Sequence, residues 1–285
     1  MPIDFQNVTY VYSPKTPMEK KALSDITLRI EEGGFTALVG RTGCGKSTLI
    51  QHLNALLNPT EGVVQIDEFV NHSDKRKRDK KTMTLRHNVG LVFQFPEYQL
   101  FEETVEKDVA FGPKNFGDSK EEALQKAHKA LAEVGLDESF YERSPFELSG
   151  GEKRRVAIAG ILAIGPKYLV VDEPTAGLDP SGAIEMMELF EKVHAAGTTL
   201  ILVTHDMDIV MRYCSDVIVL DHGKIAKVCK PIDLFGEDVE RYSLHTPALN
   251  SFASRLEQRG FSFDHSDLHS VEDLARQIAK GRTHE

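Results

Sequence analysis

The spacing of apolar residues alternates along the chain between the period of a β-strand and the period of an α-helix. Alternation with a period of two covers Ile3–Tyr12 and returns at Ala22–Ile30, which predicts two half-buried strands. Short apolar runs predict buried strands, and they lie at Phe35–Val39, Asn88–Phe93, Tyr168–Val171, Thr199–Val203 and Val217–Leu220. Helical spacing covers Lys46–Leu57 and Lys120–Val134. Because strands alternate with helices, we expect an α/β fold with a mostly parallel sheet that helices cover on both faces.

The character of the chain changes in its last part. The residues there are rich in polar side chains and show only two short helical patches, Leu249–Gln258 and Val271–Ala279. We therefore predict a main domain over residues 1–228 and a small C-terminal extension over residues 229–285.

Composition and charge exclude several classes of protein. Of the 285 residues, 41% are hydrophobic and 27% are charged, which is typical of a folded globular chain. The formal net charge of −10 disfavours direct binding to nucleic acid. No apolar run approaches the ~20 residues of a membrane-spanning helix, and the first residues lack the layout of a signal peptide. With three widely spaced cysteines, we expect a cytosolic protein that reaches a membrane only through a partner.

A glycine-rich loop lies between the predicted strand at Phe35–Val39 and the helix that begins near Lys46. It fits the pattern G-x-x-x-x-G-K-[ST] and consists of Gly40, Arg41, Thr42, Gly43, Cys44, Gly45, Lys46, Ser47 and Thr48. The glycines let successive backbone N–H groups point at phosphate oxygens, and the positive end of the helix adds to the attraction. Lys46 supplies a charge for the β- and γ-phosphates, and Ser47 supplies a hydroxyl ligand for Mg²⁺. The loop therefore predicts a phosphate-binding site for a magnesium nucleotide.

Two carboxylates end the apolar strand at Tyr168–Val171. Asp172 and Glu173 are therefore expected at the carboxyl edge of the sheet, where parallel sheets hold ligands. Beside a phosphate loop, Asp172 is a candidate for the Mg²⁺ shell and Glu173 is a candidate general base for the attacking water. Without the phosphate loop, the same pattern would be as typical of an ordinary strand end as of a metal-binding one.

A second helix N-terminus has features that favour phosphate binding. Ser149 and Glu152 form an S-x-x-E capping box, which predicts that a helix begins there. Gly150 and Gly151 occupy its first turn, although each glycine weakens a helix by ~1 kcal/mol relative to alanine. Bare N–H groups there suit the close approach of a phosphate. Since one nucleotide site rarely needs two such helix ends, we predict a head-to-tail dimer in which each Ser149 segment closes over the other chain's nucleotide.

In their order along the chain, these motifs resemble those of the ATPase subunits of ABC transporters. The resemblance covers about Ile3 to Val228, with the phosphate loop as Walker A, Leu169–Glu173 as Walker B and Leu148–Glu152 as the signature. It implies ATP hydrolysis with Mg²⁺ on a P-loop NTPase cassette fold. That fold has a mostly parallel sheet core, an antiparallel β subdomain and a helical subdomain at about residues 95–165.

The resemblance extends to four single positions and implies a role for each. Gln94 would contact Mg²⁺ or the attacking water, and His205 would bind the γ-phosphate. Asp179 would link the two nucleotide sites of a dimer, and Ser149 and Gly151 would bind the nucleotide of the other chain. Tyr12 would stack on adenine, with the neighbouring Tyr10 as the alternative.

A finer resemblance lies in residues 94–115, which contain Phe-Pro-Glu-Tyr-Gln-Leu-Phe-Glu-Glu-Thr-Val. This segment is similar to that of energy-coupling-factor importers, most of all to the second of their two paralogous ATPases. It implies a peripheral subunit at the cytoplasmic face of the cell membrane that powers uptake of vitamins or metal ions. Its partners would be a paralogous ATPase, a transmembrane scaffold docked at the groove near Gln94, and, indirectly, an interchangeable substrate-binding membrane subunit. Charge suggests that Glu97, Glu102 and Glu103 help form the groove, with a solvated loop as the alternative.

Other readings stay open on the sequence. The chain could serve another class of ABC transporter, such as a cobalt- or nickel-specific importer, or be an ABC ATPase without a transport role. A small-molecule kinase would share the phosphate loop but would not need Leu148–Glu152. The basic run Asp74–Lys81 is interrupted by aspartates and is interpreted as a solvated hairpin or loop. The C-terminal extension suits contacts between two ATPases or packing on its own domain, and the transported substrate is not determined.

Overall fold

In the computed structural model, the segments with a period of two pair into an antiparallel sheet, and the apolar runs form a second sheet. The structure describes residues 2–236, 238–264, 268 and 271–281. Within these residues the strands are, in chain order, β1 (Ile3–Tyr12), β2 (Lys20–Ile30), β3 (Phe35–Val39), β4 (Glu61–Ile66), β5 (Phe69–His72), β6 (Val89–Val92), β7 (Tyr168–Asp172), β8 (Thr199–Val203), β9 (Asp216–Asp221) and β10 (Lys224–Cys229). Within the same residues the helices are α1 (Lys46–Leu53), α2 (Thr82–Asn88), α3 (Val105–Asn115), α4 (Lys120–Glu133), α5 (Gly150–Leu162), α6 (Pro180–Ala195), α7 (Met207–Tyr213), α8 (Pro231–Phe235), α9 (Ala248–Glu257) and α10 (Val271–Gly281).

The two sheets differ in strand direction. The larger sheet has the order β10-β9-β3-β8-β7-β6, and all its neighbouring pairs are parallel except β10 and β9. The smaller sheet has the order β2-β1-β4-β5 and is antiparallel throughout. Helices α3, α4 and α5 pack on one another beside the larger sheet. The α/β architecture therefore agrees with the predicted one. No helix in the described part of the chain is both long and apolar enough to span a bilayer.

The parallel sheet separates two hydrophobic cores. Phe35, Ala37 and Val39 of β3 face a core that is shared with the helical side of the molecule, whereas Leu38 faces a core shared with α1 and the antiparallel sheet. Every residue of β3 and β8 is buried, which explains why these strands read as continuous apolar runs instead of alternating ones.

One predicted helix is shorter in the structure than its apolar spacing indicates. The spacing predicts a helix over Lys46–Leu57, but α1 ends at Leu53 and Asn54 is its C-cap. Ala55 takes a left-handed backbone conformation with φ 52°, and Leu56 is 44% exposed. After this turn, the amide of Asn71 donates to the carbonyl oxygen of Leu57 and so holds the following loop beside β5.

The extension is divided between two environments. Leu234 and Phe235 of α8 pack in the main core, as does Leu244. Helices α9 and α10 instead share a small separate core formed by Ala253, Phe263, Leu268 and Leu274. This core touches the main domain at the start of α9, where the backbone N–H of Ala248 donates to Asp208 Oδ1 over 2.8 Å. The predicted division at residue 228 stays a prediction.

Candidate active site

Four loops meet at one edge of the parallel sheet because their strands are paired in register. Val92 of β6 lies beside Val171 of β7, Asp172 lies beside Val203 of β8, and Val203 in turn lies beside Leu38 of β3. Asp172 is the last residue of β7, and the phosphate loop, Glu173, Gln94 and His205 each follow one of these strand ends by one or two residues. Segments far apart in sequence are thereby brought to a single site.

The phosphate loop has the backbone that its glycines were expected to allow. Gly40 and Gly45 have φ of 143° and 115°, and a Cβ at either position would lie within 2.1 to 2.7 Å of a backbone carbonyl oxygen. Lys46 Nζ donates to the carbonyl oxygens of Gly40 and Arg41, over 2.5 and 3.2 Å. Helix α1 begins at Lys46 without a side-chain cap, so its first N–H groups stay available to an anion.

The two carboxylates at the end of β7 have different surroundings. Burial, and then the charge of Glu173, raise the pKa of Asp172 to about 6, against the opposing effect of Lys46. Glu173 has a left-handed backbone with φ 50°, and its N–H donates to the carbonyl oxygen of Val203 over 2.9 Å. Its Oε2 lies 2.8 Å from Nδ1 of His205, whose side chain is 79% exposed. Glu173 and His205 therefore form a hydrogen-bonded pair in which the histidine faces solvent.

A cavity of about 630 Å³ connects these groups. Its lining includes the following residues that the sequence analysis singled out: Tyr12, Arg41, Thr42, Gly43, Cys44, Gly45, Lys46, Ser47, Thr48, Gln94, Asp172, Glu173 and His205. Sequence reasoning missed five other lining residues, Lys20, Lys21, Ala22, His222 and Gly223. These belong to no motif; they reach the cavity because the chain segments on which they lie pack beside the phosphate loop, for example through the 2.8 Å contact of His222 Nδ1 with Arg41.

The structure distinguishes between the two tyrosines of β1. Tyr12 lines the cavity, and its hydroxyl lies 3.1 Å from Thr48 Oγ1. Tyr10 packs its ring against Tyr12 at 4.8 Å and against the buried His52 at 5.1 Å, and it does not line the cavity. The geometry therefore favours Tyr12 over Tyr10 as the candidate base-stacking residue.

Four predicted site residues do not line this cavity, namely Gly40, Ser149, Gly151 and Asp179. The capping box forms as predicted, with Ser149 N donating to Glu152 Oε2 over 2.7 Å and Glu152 N donating to Ser149 Oγ. A Cβ at Gly150 or Gly151 would meet nothing within 4 Å, and neither has a positive φ. Nothing within the described chain therefore requires glycine here. Asp179 caps α6 by accepting from the N–H of Gly182 over 2.7 Å.

The donor atoms around the cavity suit Mg²⁺. The Ser47 hydroxyl, the Gln94 carboxamide and the Asp172 carboxylate all line it, and these are hard oxygen ligands. A half-buried carboxylate with a raised pKa, such as that of Asp172, is the kind of group that a divalent cation would compensate. No cluster of three or more His, Cys, Asp or Glu side chains that could hold a metal occurs among the described residues. Mg²⁺ at nucleotide sites needs only one or two carboxylates, with phosphates and water completing its shell.

The chain is similar to proteins of known family. A family model described as "ABC transporter" matches residues 23–176. The energy-coupling factor transporter ATP-binding protein EcfA2 of Enterococcus faecalis is 52% identical over 98% of this chain and 97% of its own length, and that of Lactiplantibacillus plantarum is 51% identical. Among solved structures, CbiO1 from Clostridium perfringens, described as part of the ABC transporter complex CbiONQ, has a TM-score of 0.73 at 36% identity and covers 88% of this chain and 98% of its own. The ATP-binding cassette MJ0796, solved as a post-hydrolysis dimer with ADP and Pi, has a TM-score of 0.70 at 33% identity, covering 80% of this chain and 98% of its own.

Proposed function

The chain belongs to the ABC transporter family, and from that premise we propose that it is the ATPase subunit of an energy-coupling-factor type importer. It binds and hydrolyses ATP and thereby powers uptake of vitamins or metal ions through membrane partner subunits. The observation that carries this proposal is a divided site. Lys46, Asp172, Glu173 and His205 surround one cavity, while the bare glycines at the start of α5 lie outside it.

Nucleotide binding uses the phosphate loop. When nucleotide binds, Lys46 Nζ leaves the carbonyl oxygens of Gly40 and Arg41 and pairs with the β- and γ-phosphates. The exchange is favourable because the ammonium group binds a charged phosphate more strongly than a neutral carbonyl oxygen. The uncapped N–H groups of α1 face the same phosphates. Tyr12 stacks on the adenine, with its hydroxyl held by Thr48. Ser47, Gln94 and Asp172 would hold Mg²⁺, which when bound neutralises phosphate charge.

Hydrolysis depends on the pair of Glu173 and His205. Glu173 acts as general base and orients a water for in-line attack on the γ-phosphate. The ionised carboxylate keeps a proton on His205 Nδ1, because that nitrogen lies 2.8 Å from Glu173 Oε2. The exposed imidazole of His205 binds the γ-phosphate, while its Nδ1 holds the base in place.

A second ATPase subunit completes each site. Ser149 and Gly151 of one subunit approach the γ-phosphate held by the other, and Asp179 lies at the junction of the two sites. The open surface around Gly150 and Gly151 supports this arrangement, since it leaves backbone N–H groups accessible at a helix N-terminus. We infer that the second subunit is a paralogue rather than an identical chain. The γ-phosphate holds the closed pair together, so its loss opens the dimer and resets the membrane partner.

The membrane scaffold docks at the surface that follows Gln94. Large apolar side chains are exposed there, namely Phe95, Tyr98, Phe101 and Phe111. Of the acidic residues suggested by charge, Glu97 is held by Arg154 and Glu103 by Lys107, each at 2.8 to 2.9 Å. Because Glu97 is engaged in an ion pair within the chain, we assign the docking surface mainly to the exposed apolar side chains. The subunit is peripheral at the cytoplasmic face of the membrane.

The variant Glu173→Gln tests the proposal. We expect it to bind ATP like the wild type, to lose at least about 100-fold in turnover because the base is gone, and to keep the ATPase pair closed on gel filtration with ATP. The matched control is Glu188→Gln, which removes an exposed carboxylate of α6 and should hydrolyse ATP normally. Wild-type turnover in Glu173→Gln would contradict the assigned base.

Purification through a tag on this chain from native membranes tests the transport role. We expect a second ATPase and a transmembrane scaffold to co-purify. Recovery of an active chain with no membrane subunit would favour an ABC ATPase without a transport role. Turnover by a strictly monomeric chain with phosphate transfer to a small molecule would favour a kinase.

A further inference from the structure

One buried arginine joins three parts of the site that the motifs describe separately. Arg154 lies on α5, and only 5% of its side chain is exposed. Its Nε and Nη2 donate to the two carboxylate oxygens of Glu97 over 3.1 and 2.9 Å. Its Nη1 donates to the carbonyl oxygens of Pro174 and Ala176 over 3.2 and 2.9 Å. All three guanidinium nitrogens are thus engaged.

The partners of Arg154 lie next to catalytic candidates. Glu97 is three residues after Gln94, in the 3-10 turn Pro96–Gln99. Pro174 and Ala176 lie one and three residues after Glu173, in the segment that connects Glu173 to Asp179. Arg154 itself is five residues after Ser149 on the same helix. One side chain therefore contacts the segment of Gln94 and the segment of Glu173, and does so from the helix that the proposed function places against the second subunit.

Both contacted segments have backbones that need external support. Phe95, directly after Gln94, has φ 56°, and Glu173 has φ 50°; both lie in the left-handed region that non-glycine residues rarely occupy. Such conformations persist when surrounding contacts hold them. The guanidinium of Arg154 lies 5.7 Å from the centre of the Phe95 ring, and this ring would be 3.7 Å from a Cβ at Gly177. The Phe95 ring of the Gln94 segment thus lies close both to Arg154 and to Gly177, four residues after Glu173.

The neighbouring Arg155 shows what a purely structural arginine looks like on this helix. It donates to the carbonyl oxygen of Val134 over 2.9 Å and to Glu185 over 2.6 Å. Neither partner belongs to the segments of Gln94 or Glu173. The two arginines are adjacent in sequence but connect α5 to different surroundings, which makes Arg155 a matched control.

We propose that Arg154 is a positioning residue that couples the Gln94 segment to the Glu173 segment, so that a displacement of one is transmitted to the other. The inference deepens the proposed function and rests on it. When the membrane scaffold or the nucleotide moves the Gln94 segment, Glu97 moves with it, and Arg154 carries the displacement to the carbonyl oxygens that follow Glu173. The base is then correctly placed only in the assembled, nucleotide-bound state. This link needs the planar fork of arginine, because a single ammonium cannot reach both carboxylate oxygens and both carbonyl oxygens.

The test compares steady-state kinetics of the assembled membrane complex carrying Arg154→Lys, Arg154→Gln, Glu97→Gln or the double variant Glu97→Gln/Arg154→Gln. Arg154→Lys keeps the buried charge and so keeps the fold testable. We expect kcat for ATP to fall at least about tenfold in both Arg154 variants, because the base is misplaced, with KM changed less than about twofold. The double variant should be no slower than Arg154→Gln alone, because both residues belong to one unit.

The outcomes separate this inference from the proposed function. Absence of ATPase activity in the wild-type complex, or activity that survives Glu173→Gln, would contradict the proposed function. If the wild type is active and Arg154→Lys and Arg154→Gln retain its kcat, the coupling role alone is wrong. It is also wrong if KM rises at constant kcat, or if Arg155→Gln loses as much kcat as Arg154→Gln. We expect Arg155→Gln to lower thermal stability while kcat per folded complex stays within about twofold of the wild type.

Discussion

The partly buried Asp172 should make the nucleotide-free protein less stable than the same fold without this charge. Its pKa is raised from the ordinary 3.8 to about 6, first by burial and then by the charge of Glu173. A tenfold change in proton affinity is worth about 1.4 kcal/mol, so the rise corresponds to about 3 kcal/mol when the carboxylate is fully ionised. Since Asp172 is only partly buried, solvent screening reduces the expected effect to about 1–2 kcal/mol.

The sign of this effect follows from proton binding. Between pH 3.8 and about 6, the folded protein binds more protons at Asp172 than the unfolded chain does. The contribution of this group to the free energy of unfolding therefore falls as pH rises through that range and stays low above it. Replacing Asp172 by Asn removes the charge and keeps the shape. Asp172→Asn should then raise the free energy of unfolding by about 1–2 kcal/mol at pH 8, and by about a third of that at pH 4.5.

Urea unfolding of the nucleotide-free protein in EDTA, at pH 8 and pH 4.5, measures this difference. Asp172→Asn should shift the midpoint upward at pH 8 with an unchanged m-value, whereas Glu188→Gln, at an exposed position on α6, should shift neither curve. The Asp172→Asn variant should also bind ATP without the added affinity that Mg²⁺ confers on the wild type. If Asp172→Asn is only as stable as the wild type at pH 8, or gains equally at both pH values, the destabilising effect assigned to the Asp172 charge is wrong.

Two further predictions concern the phosphate loop and the link between the sheets. Gly45→Ala should lower ATP affinity at least about 100-fold in equilibrium binding, because a Cβ at Gly45 meets the Ala22 carbonyl oxygen at 2.7 Å. The control is Gly43→Ala, since a Cβ at Gly43 meets nothing within 4 Å. Its loss of ATP affinity should be smaller. Equal losses would contradict the steric reasoning. Lys167→Met should lower the free energy of unfolding by about 1–2 kcal/mol, because Lys167 Nζ bridges Asp67 and Glu32 at 3.1 Å each. The control Lys129→Met removes an exposed ion pair and should change the free energy of unfolding by less than about 0.5 kcal/mol. If Lys167→Met and Lys129→Met lose similar amounts, the ion pairs of Lys167 with Asp67 and Glu32 add no stability.

Local patterns were sufficient for the elements whose residues determine their own environment. Ile3–Tyr12 and Thr199–Val203 have the bounds that their apolar spacing predicts, because a strand buried on one face or both must carry that spacing. The capping box at Ser149 also formed as predicted, since both of its hydrogen bonds lie within four residues. The phosphate loop was also recognised from its local pattern, although the carbonyl oxygens that exclude a Cβ at Gly40 and Gly45 belong to the distant residues Leu220 and Ala22.

Contacts between distant segments determined the rest. Helix α1 stops at Leu53, and the loop after it is held by Asn71, a contact that no periodicity indicates. The choice between Tyr10 and Tyr12 depended on which ring reaches the cavity beside Thr48. Glu97 looked like a surface carboxylate in sequence, yet it pairs with Arg154, which lies 57 residues away. A one-dimensional pattern records how a residue relates to its near neighbours, whereas pairing, burial and shared cavities depend on the packing of segments that meet only in the folded chain.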